Sequence, residues 1–183
     1  AMAAAMGMPL IELEARCKQI HQETGEIVAV ANVNTREQLV VAGSAQGVDT
    51  LIKSLEGVRV VPLNVSAPFH CALMEPAAIR LRAVIEEVTI TPPRFPVYAN
   101  VSASPTSDPE CIRQNLIAQV SGQVQWAQSI EAMVAEHQPA GSIEFGFGNV
   151  ISGLVKRITP TLARWQTDSP ASLDSLAKEV PSC

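Results

Sequence analysis

Over residues 1–63 the spacing of apolar side chains changes period in a fixed order, and no other feature limits the possible folds of this chain more strongly. Met2 to Met6 is an apolar run of strand length. Leu10, Leu13, Cys17 and Ile20 then recur at helical spacing and stop at Gly25. Two β-branched runs, residues 27–33 and 39–42, follow with a polar turn between them, which reads as a hairpin. Val48, Leu51, Ile52 and Leu55 give a second amphipathic helix, and Val58, Val60 and Val61 a last strand. The order is β-α-β-β-α-β, which can close by itself as helices laid over one sheet.

That order is ferredoxin-like and predicts a small subdomain at residues 1–63. After a loop at residues 64–70, longer helices alternate with short strands, so residues 64–183 read as a second, α/β region. The spacing predicts a helix over 74–87, with Pro76 tolerated in its first turn and an apolar stripe at Leu73, Ala77, Leu81, Val84 and Val88. Pro92-Pro93 stops it, and residues 97–99 form a short strand. Asp108 is a predicted N-cap before Pro109, opening a helix through Ile112, Leu116 and Val120. Trp126, Ile130, Met133 and Val134 line another. A strand at 143–145 leads to a helix carrying Val150, Ile151, Leu154, Val155 and Ile158, with Lys156 and Arg157 in its last turn. Residues 167–170 read as a loop, and Leu173, Leu176 and Val180 as a terminal helix.

Charge excludes several functions. A net charge of −5 without a run of Lys or Arg offers no footprint for nucleic acid or for an anionic membrane surface. No stretch reaches the ~20 apolar residues that cross a bilayer. The Ala/Met-rich start has no positive n-region, so no targeting segment is expected, and it reads like an interior strand entered midway. Cys17, Cys71, Cys111 and Cys183 show no C-x-x-C pair and no matching His spacing, which argues against zinc and against a disulfide framework. A cytoplasmic location fits that usage.

Of three histidines, His70 is the distinctively placed one, in Ser66-Ala67-Pro68-Phe69-His70-Cys71 between a strand and a helix start. Loops held by rigid elements are where catalytic side chains concentrate, although a lone histidine is more often structural or merely exposed.

The segment Val65-Ser66-Ala67-Pro68-Phe69-His70-Cys71-Ala72-Leu73-Met74 resembles the one that bears the catalytic histidine in malonyl-CoA:acyl carrier protein transacylases. Asn32-Val33-Asn34 followed by Gln38-Leu39-Val40-Val41-Ala42-Gly43 resembles that family's small-subdomain hairpin. Val124-Gln125-Trp126 resembles its Val-Gln-Trp element, and the segment from Glu144 to Ile158 its Gly-x-Gly strand-to-helix signature. The four motifs stand in order over nearly the whole chain. The resemblance implies that residues 64–183 are the C-terminal portion of an α/β-hydrolase-like acyltransferase domain. It also implies transfer of a malonyl group from coenzyme A, through a serine ester, to the phosphopantetheine thiol of acyl carrier protein. His70 would be the general base and the Gln119 main-chain carbonyl would fix its tautomer. By the same resemblance Asn34 and Phe69 are substrate-binding candidates; as residues alone they are a turn asparagine and a packed aromatic. No cofactor and no metal is implied beyond the coenzyme A thioester and the carrier's own phosphopantetheine. Acyl carrier proteins are acidic, so Lys156 and Arg157, with Lys53, Arg59, Arg80 or Arg82, are docking candidates as well as ordinary helix-end or surface cations.

No serine has a glycine two positions before it, so the sequence holds no Gly-x-Ser-x-Gly elbow. The resemblance begins at the first strand of the small subdomain, so the nucleophile is expected from elsewhere: the chain reads as a fragment of a longer protein or as half of a split enzyme whose second chain carries the serine, ahead of a truncated product kept for binding, and it is expected to be inactive alone. Residues 64–183 are then expected to leave apolar faces uncovered. A non-catalytic acyl carrier protein or partner-binding module is the alternative. Nucleotide binding at Gly146-x-Gly148 is a lesser one, since the third glycine of the dinucleotide fingerprint is misplaced.

Overall fold

A computed structural model describes residues 1–179, which form two compact units, Ala1–Ser129 and Ile130–Cys183, the second described as far as Glu179. Val180 of the expected terminal helix, and Cys183, lie outside the described residues. The fold is mixed α/β.

The first unit opens with β1 (Met2–Met6), α1 (Leu10–Thr24), β2 (Val28–Thr35), β3 (Gln38–Gly43), α2 (Ala45–Ser54) and β4 (Arg59–Pro62). The four strands make one antiparallel sheet in the order β2-β3-β1-β4. Cross-strand register explains the alanine-rich start. Ala3 faces Val41 and Ala5 faces Leu39 on one side of the sheet, while Met2 faces Ala42 and Ala4 faces Val40 on the other. All four β1 residues from Met2 to Ala5 are buried, so both faces of this strand are covered, and only small side chains allow that closeness. The helices α1 and α2 pack on each other and against β2 and β3, burying Leu13, Cys17, Ile20, Val48 and Leu51. Each such aliphatic contributes roughly 1.5–3 kcal/mol of transfer free energy. Ser44 caps α2 through its hydroxyl, which accepts from Gly47 N at 3.0 Å. Gly43 ends β3 where a Cβ would stand 2.1 Å from the Ile27 carbonyl oxygen, so any side chain there would force the β2–β3 hairpin apart.

The same unit continues through a single 3-10 turn (Ala72–Met74), α3 (Glu75–Ile85), the short hairpin β5 (Val97–Ala99) with β6 (Ser104–Thr106), α4 (Pro109–Gln119) and the start of α5 (Trp126–His137). The division expected after residue 63 falls inside this contact unit. Asp108 caps α4 by accepting from Glu110 N and Cys111 N, with Pro109 at the first helical position. The apolar stripe of α3 stays largely open, as expected of uncovered apolar faces in residues 64–183. Ala78 is its buried residue, whereas Ile79 and Val84 are more than 60% exposed. Periodicity located the helix but did not say what packs on it.

In the second unit, β7 (Gly141–Glu144) pairs in parallel with β8 (Ala163–Gln166), joined by α6 (Val150–Ile158) and followed by α7 (Pro170–Glu179). The strand expected at 143–145 begins two residues earlier and ends one earlier, ahead of the bend that starts at Gly146. The strands β6 and β8 are too short and too polar to stand out in the sequence. Phe145, Phe147 and Val150 are 79%, 99% and 72% exposed.

Candidate functional site

The segment that carries His70 is fixed from below by its neighbour. Cys71 is 2% exposed and packs with Met2, Ala4, Ala31, Val40 and Ala42 on the sheet face opposite the helices. Its thiol donates to the Pro68 carbonyl at 3.1 Å, closing the turn around His70. His70 itself has φ +61°, one of three positive values among the described non-glycine residues. Such a conformation costs on the order of 1–3 kcal/mol and persists where surrounding contacts over-determine it.

His70 Nδ1 lies 2.9 Å from the main-chain carbonyl oxygen of Gln119. A carbonyl can only accept, so Nδ1 carries the hydrogen and, in the neutral ring, Nε2 is left with a free lone pair. Gln119 is the last residue of α4, where carbonyls lack intrahelical partners. This oxygen therefore has capacity to spare, and it sits at the negative end of the helix dipole. The Gln119 side chain donates from Nε2 to Gly122 O at 3.0 Å and tightens the chain just past the helix.

What brings residues 70 and 119 together is a shared attachment to β2. The register of β2 on β3 is interrupted between Val30 and Asn32 and again between Val33 and Thr35, and β2 is an edge strand whose outward backbone groups find no partner within the sheet. Val124 uses them, donating to Ala31 O and accepting from Val33 N, both at 2.8 Å. Gln123 adds a bond from Nε2 to Val30 O at 3.1 Å. Cys71 thus seats one segment on the sheet face while Val124 ties the other to the sheet edge. Gln125 continues the fixation, donating from Nε2 to Val101 O at 2.6 Å.

Asn34 is half-buried on that same strand, opposite no β3 residue in the register. Phe69 is 40% exposed beside His70. The structure pairs His70 with Gln119. Sequence reasoning missed Cys71 as an anchor, although its place in an apolar run directly after the histidine is the signal that was there.

Two other features compete for attention and lack the chemistry. A pocket of about 470 Å3 lies between α1 and β2, lined by Glu14, Cys17, Lys18, His21 and Gln123 among others. Burial, with help from the charge of Glu14, pushes the Cys17 thiol up to about 12, so it is no nucleophile. His21 also meets a carbonyl through Nδ1, that of Glu26 at 3.0 Å, but locally and at the exposed end of α1. A histidine-carbonyl bond alone is therefore not diagnostic; the strained, anchored loop is what sets His70 apart.

The Gly146-Gly148 turn is the second. Gly146 and Gly148 have φ +113° and +86°, which only glycine adopts readily, so a tight turn accounts for both. Glu144 reaches across it, accepting from Ile151 N at 3.1 Å and Ser152 N at 2.7 Å. Burial opposes the ionised carboxyl, yet the bonds from Ser152 and Ile151 outweigh it and hold Glu144 below the usual glutamate range. The amides of Ile151 and Ser152 are already bonded to a carboxylate, which weighs against the nucleotide reading.

Among the described residues no cluster of three or more His, Cys, Asp or Glu side chains could hold a metal ion, and no helix is long and apolar enough to cross a membrane. The described cysteines Cys17, Cys71 and Cys111 are unpaired thiols.

No family model matches the chain. The malonyl CoA-acyl carrier protein transacylase of Bacillus subtilis is 36% identical over 177 residues, 95% of this chain and 55% of that protein. The chain is a relative of the malonyl-CoA:acyl carrier protein transacylase family. The transacylase of Escherichia coli K12 is 35% identical over 179 residues, 94% of this chain and 56% of its own length. Among solved structures, a type II PKS acyl-carrier protein in complex with its malonyl-transacylase matches with a TM-score of 0.91 at 34% identity, over 98% of this chain and 58% of that one. The acyl-carrier-protein-S-malonyltransferase of Bartonella henselae matches at 0.90 and 36%. The chain spans about half the length of the transacylases it matches, consistent with their C-terminal part.

Proposed function

We propose that this chain supplies the general base, its orienting carbonyl and a covering subdomain to a malonyl transferase. The carrying observation is the bond from His70 Nδ1 to the Gln119 carbonyl, which leaves Nε2 as a proton acceptor. A serine from outside these 183 residues, upstream in one polypeptide or on a second chain, provides the nucleophile. Nε2 takes the serine proton as the oxygen attacks the malonyl thioester carbonyl, and the resulting imidazolium returns that proton to the departing coenzyme A thiolate. In the second half the phosphopantetheine thiol of acyl carrier protein gives its proton to Nε2 and attacks the serine ester. The malonyl group moves to sulfur and the proton goes back to the serine oxygen. The Gln119 carbonyl holds the ring in one tautomer throughout, as a carboxylate does in other triads.

The β-α-β-β-α-β order and the antiparallel arrangement β2-β3-β1-β4 support reading residues 1–63 as a ferredoxin-like subdomain, with residues 64–183 as the C-terminal part of a hydrolase-like acyltransferase domain. Asn34 and Phe69 would line the acyl-binding side. A carrier-binding role is favoured by the relative solved with its acyl carrier protein, and the partner's acidity suits Lys156 and Arg157 at the end of α6. Three unpaired thiols agree with a reducing cytoplasm.

The test is malonyl transfer to acyl carrier protein by this chain combined with a serine-bearing region from a related transacylase. Transfer that falls by about 10²- to 10⁴-fold in His70→Ala is the expected result. Undiminished transfer in that variant overturns the role of His70.

A further inference from the structure

The helices α3 and α4 lie side by side in opposite directions and are tied at both ends. Near the start of α4, Arg113 donates from Nη2 to Val88 O at 2.9 Å and from Nη1 to Ile85 O, holding the far end of α3. At the other end, Ser121 Oγ donates to Glu75 Oε2 at 2.9 Å. Glu75 is the first residue of α3, five positions after His70. Ser121 is two positions after Gln119. The His70–Gln119 and Glu75–Ser121 hydrogen bonds are thus two cross-links between the same pair of segments.

We propose that Glu75 and Ser121 are positioning residues that hold the Gln119 carbonyl on His70 Nδ1. The His70–Gln119 bond alone joins a strained loop residue to a frayable helix end, and a displacement of about 1 Å is enough to impair a proton-transfer geometry. A second cross-link between the same segments removes the freedom of α4 to slide or roll along α3 that would open the first. The Arg113 clasp restrains the opposite end and leaves this one to Ser121. A charged acceptor makes the Glu75–Ser121 bond stronger than a neutral pair. The inference rests on His70 acting as the base, yet its geometry can be tested without any transfer reaction.

The experiment is long-range 1H–15N spectroscopy of the histidine rings in the ¹⁵N-labelled chain, with His70→Ala assigning the His70 signals. In the unaltered protein His70 gives the pattern of one tautomer, protonated at Nδ1. Ser121→Ala moves it toward the averaged pattern of a freely exchanging imidazole, while Ser121→Thr, which keeps the hydroxyl, restores the single tautomer. Glu75→Ala acts as Ser121→Ala does, and the double variant goes no further than either. Circular dichroism of Ser121→Ala stays native, since both side chains are at the surface or half-buried. An unchanged His70 pattern in Ser121→Ala, or failure of Ser121→Thr to restore it, overturns the clasp. Loss of the base role shows separately, in the transfer assay of His70→Ala.

Discussion

His70 Nδ1 and the main-chain carbonyl of Gln119 stand 2.9 Å apart although 49 positions separate them in the chain. The acceptor belongs to the backbone, so the identity of the side chain at 119 matters only through the shape of the helix end. In the completed enzyme Gln119→Ala is expected to lower malonyl transfer no more than about tenfold, the equivalent of the one bond it removes, to Gly122. A loss as deep as that of His70→Ala, measured in the same assay, would show that the side chain takes part.

Cys71 is expected to be intolerant of size. It occupies a cluster of alanines, valine and methionine with 2% exposure. Cys71→Leu overfills that space at a cost of about 1–3 kcal/mol and lifts the loop that holds His70. Chemical denaturation should report the stability loss. The His70–Gln119 bond should weaken with it, seen as loss of the single ring tautomer, whereas Cys71→Ala leaves the tautomer in place.

Thiol reactivity should follow burial. Cys111 is exposed, while Cys17 and Cys71 are buried and the Cys17 thiol is pushed up to about 12. At neutral pH iodoacetamide should therefore modify Cys111 in the native protein, and Cys17 and Cys71 only after unfolding. Peptide mapping by mass spectrometry reads this directly, and rapid native labelling of Cys17 would contradict the packing of α1.

The start of α6 should depend on pH through Glu144. Its carboxyl titrates below the ordinary value of 4.5 in the folded chain. The stabilisation is thus fully present above the unfolded value and is lost as pH falls through the folded one. Hydrogen exchange at Ile151 and Ser152 should accelerate under acid, relative to the intrinsic rate. Glu144→Ala should show the same opening already at neutral pH.

Element types were largely legible because they depend on local pattern. The period change across residues 1–63, the cap at Asp108-Pro109 and the motif around His70 all concern neighbours a few positions apart, and each stands in the structure where the spacing put it. The helix α3 shows the limit of such patterns. Its stripe was regular, yet Val84 is 64% exposed, since periodicity states which face is apolar and not whether anything covers it.

The sequence by itself determined the order of helices and strands over residues 1–63 and the place of the His70 motif, because propensity, capping and side-chain period act over one or two turns of chain. Only the tertiary structure decided which nitrogen of that histidine is free. That depends on a carbonyl left unpaired at the end of α4, on Cys71 seated against the sheet face, and on Val124 bonded to the irregular edge of β2. Those contacts join residues tens of positions apart, and no local preference encodes them; they exist once the sheet has formed and given both segments a common support.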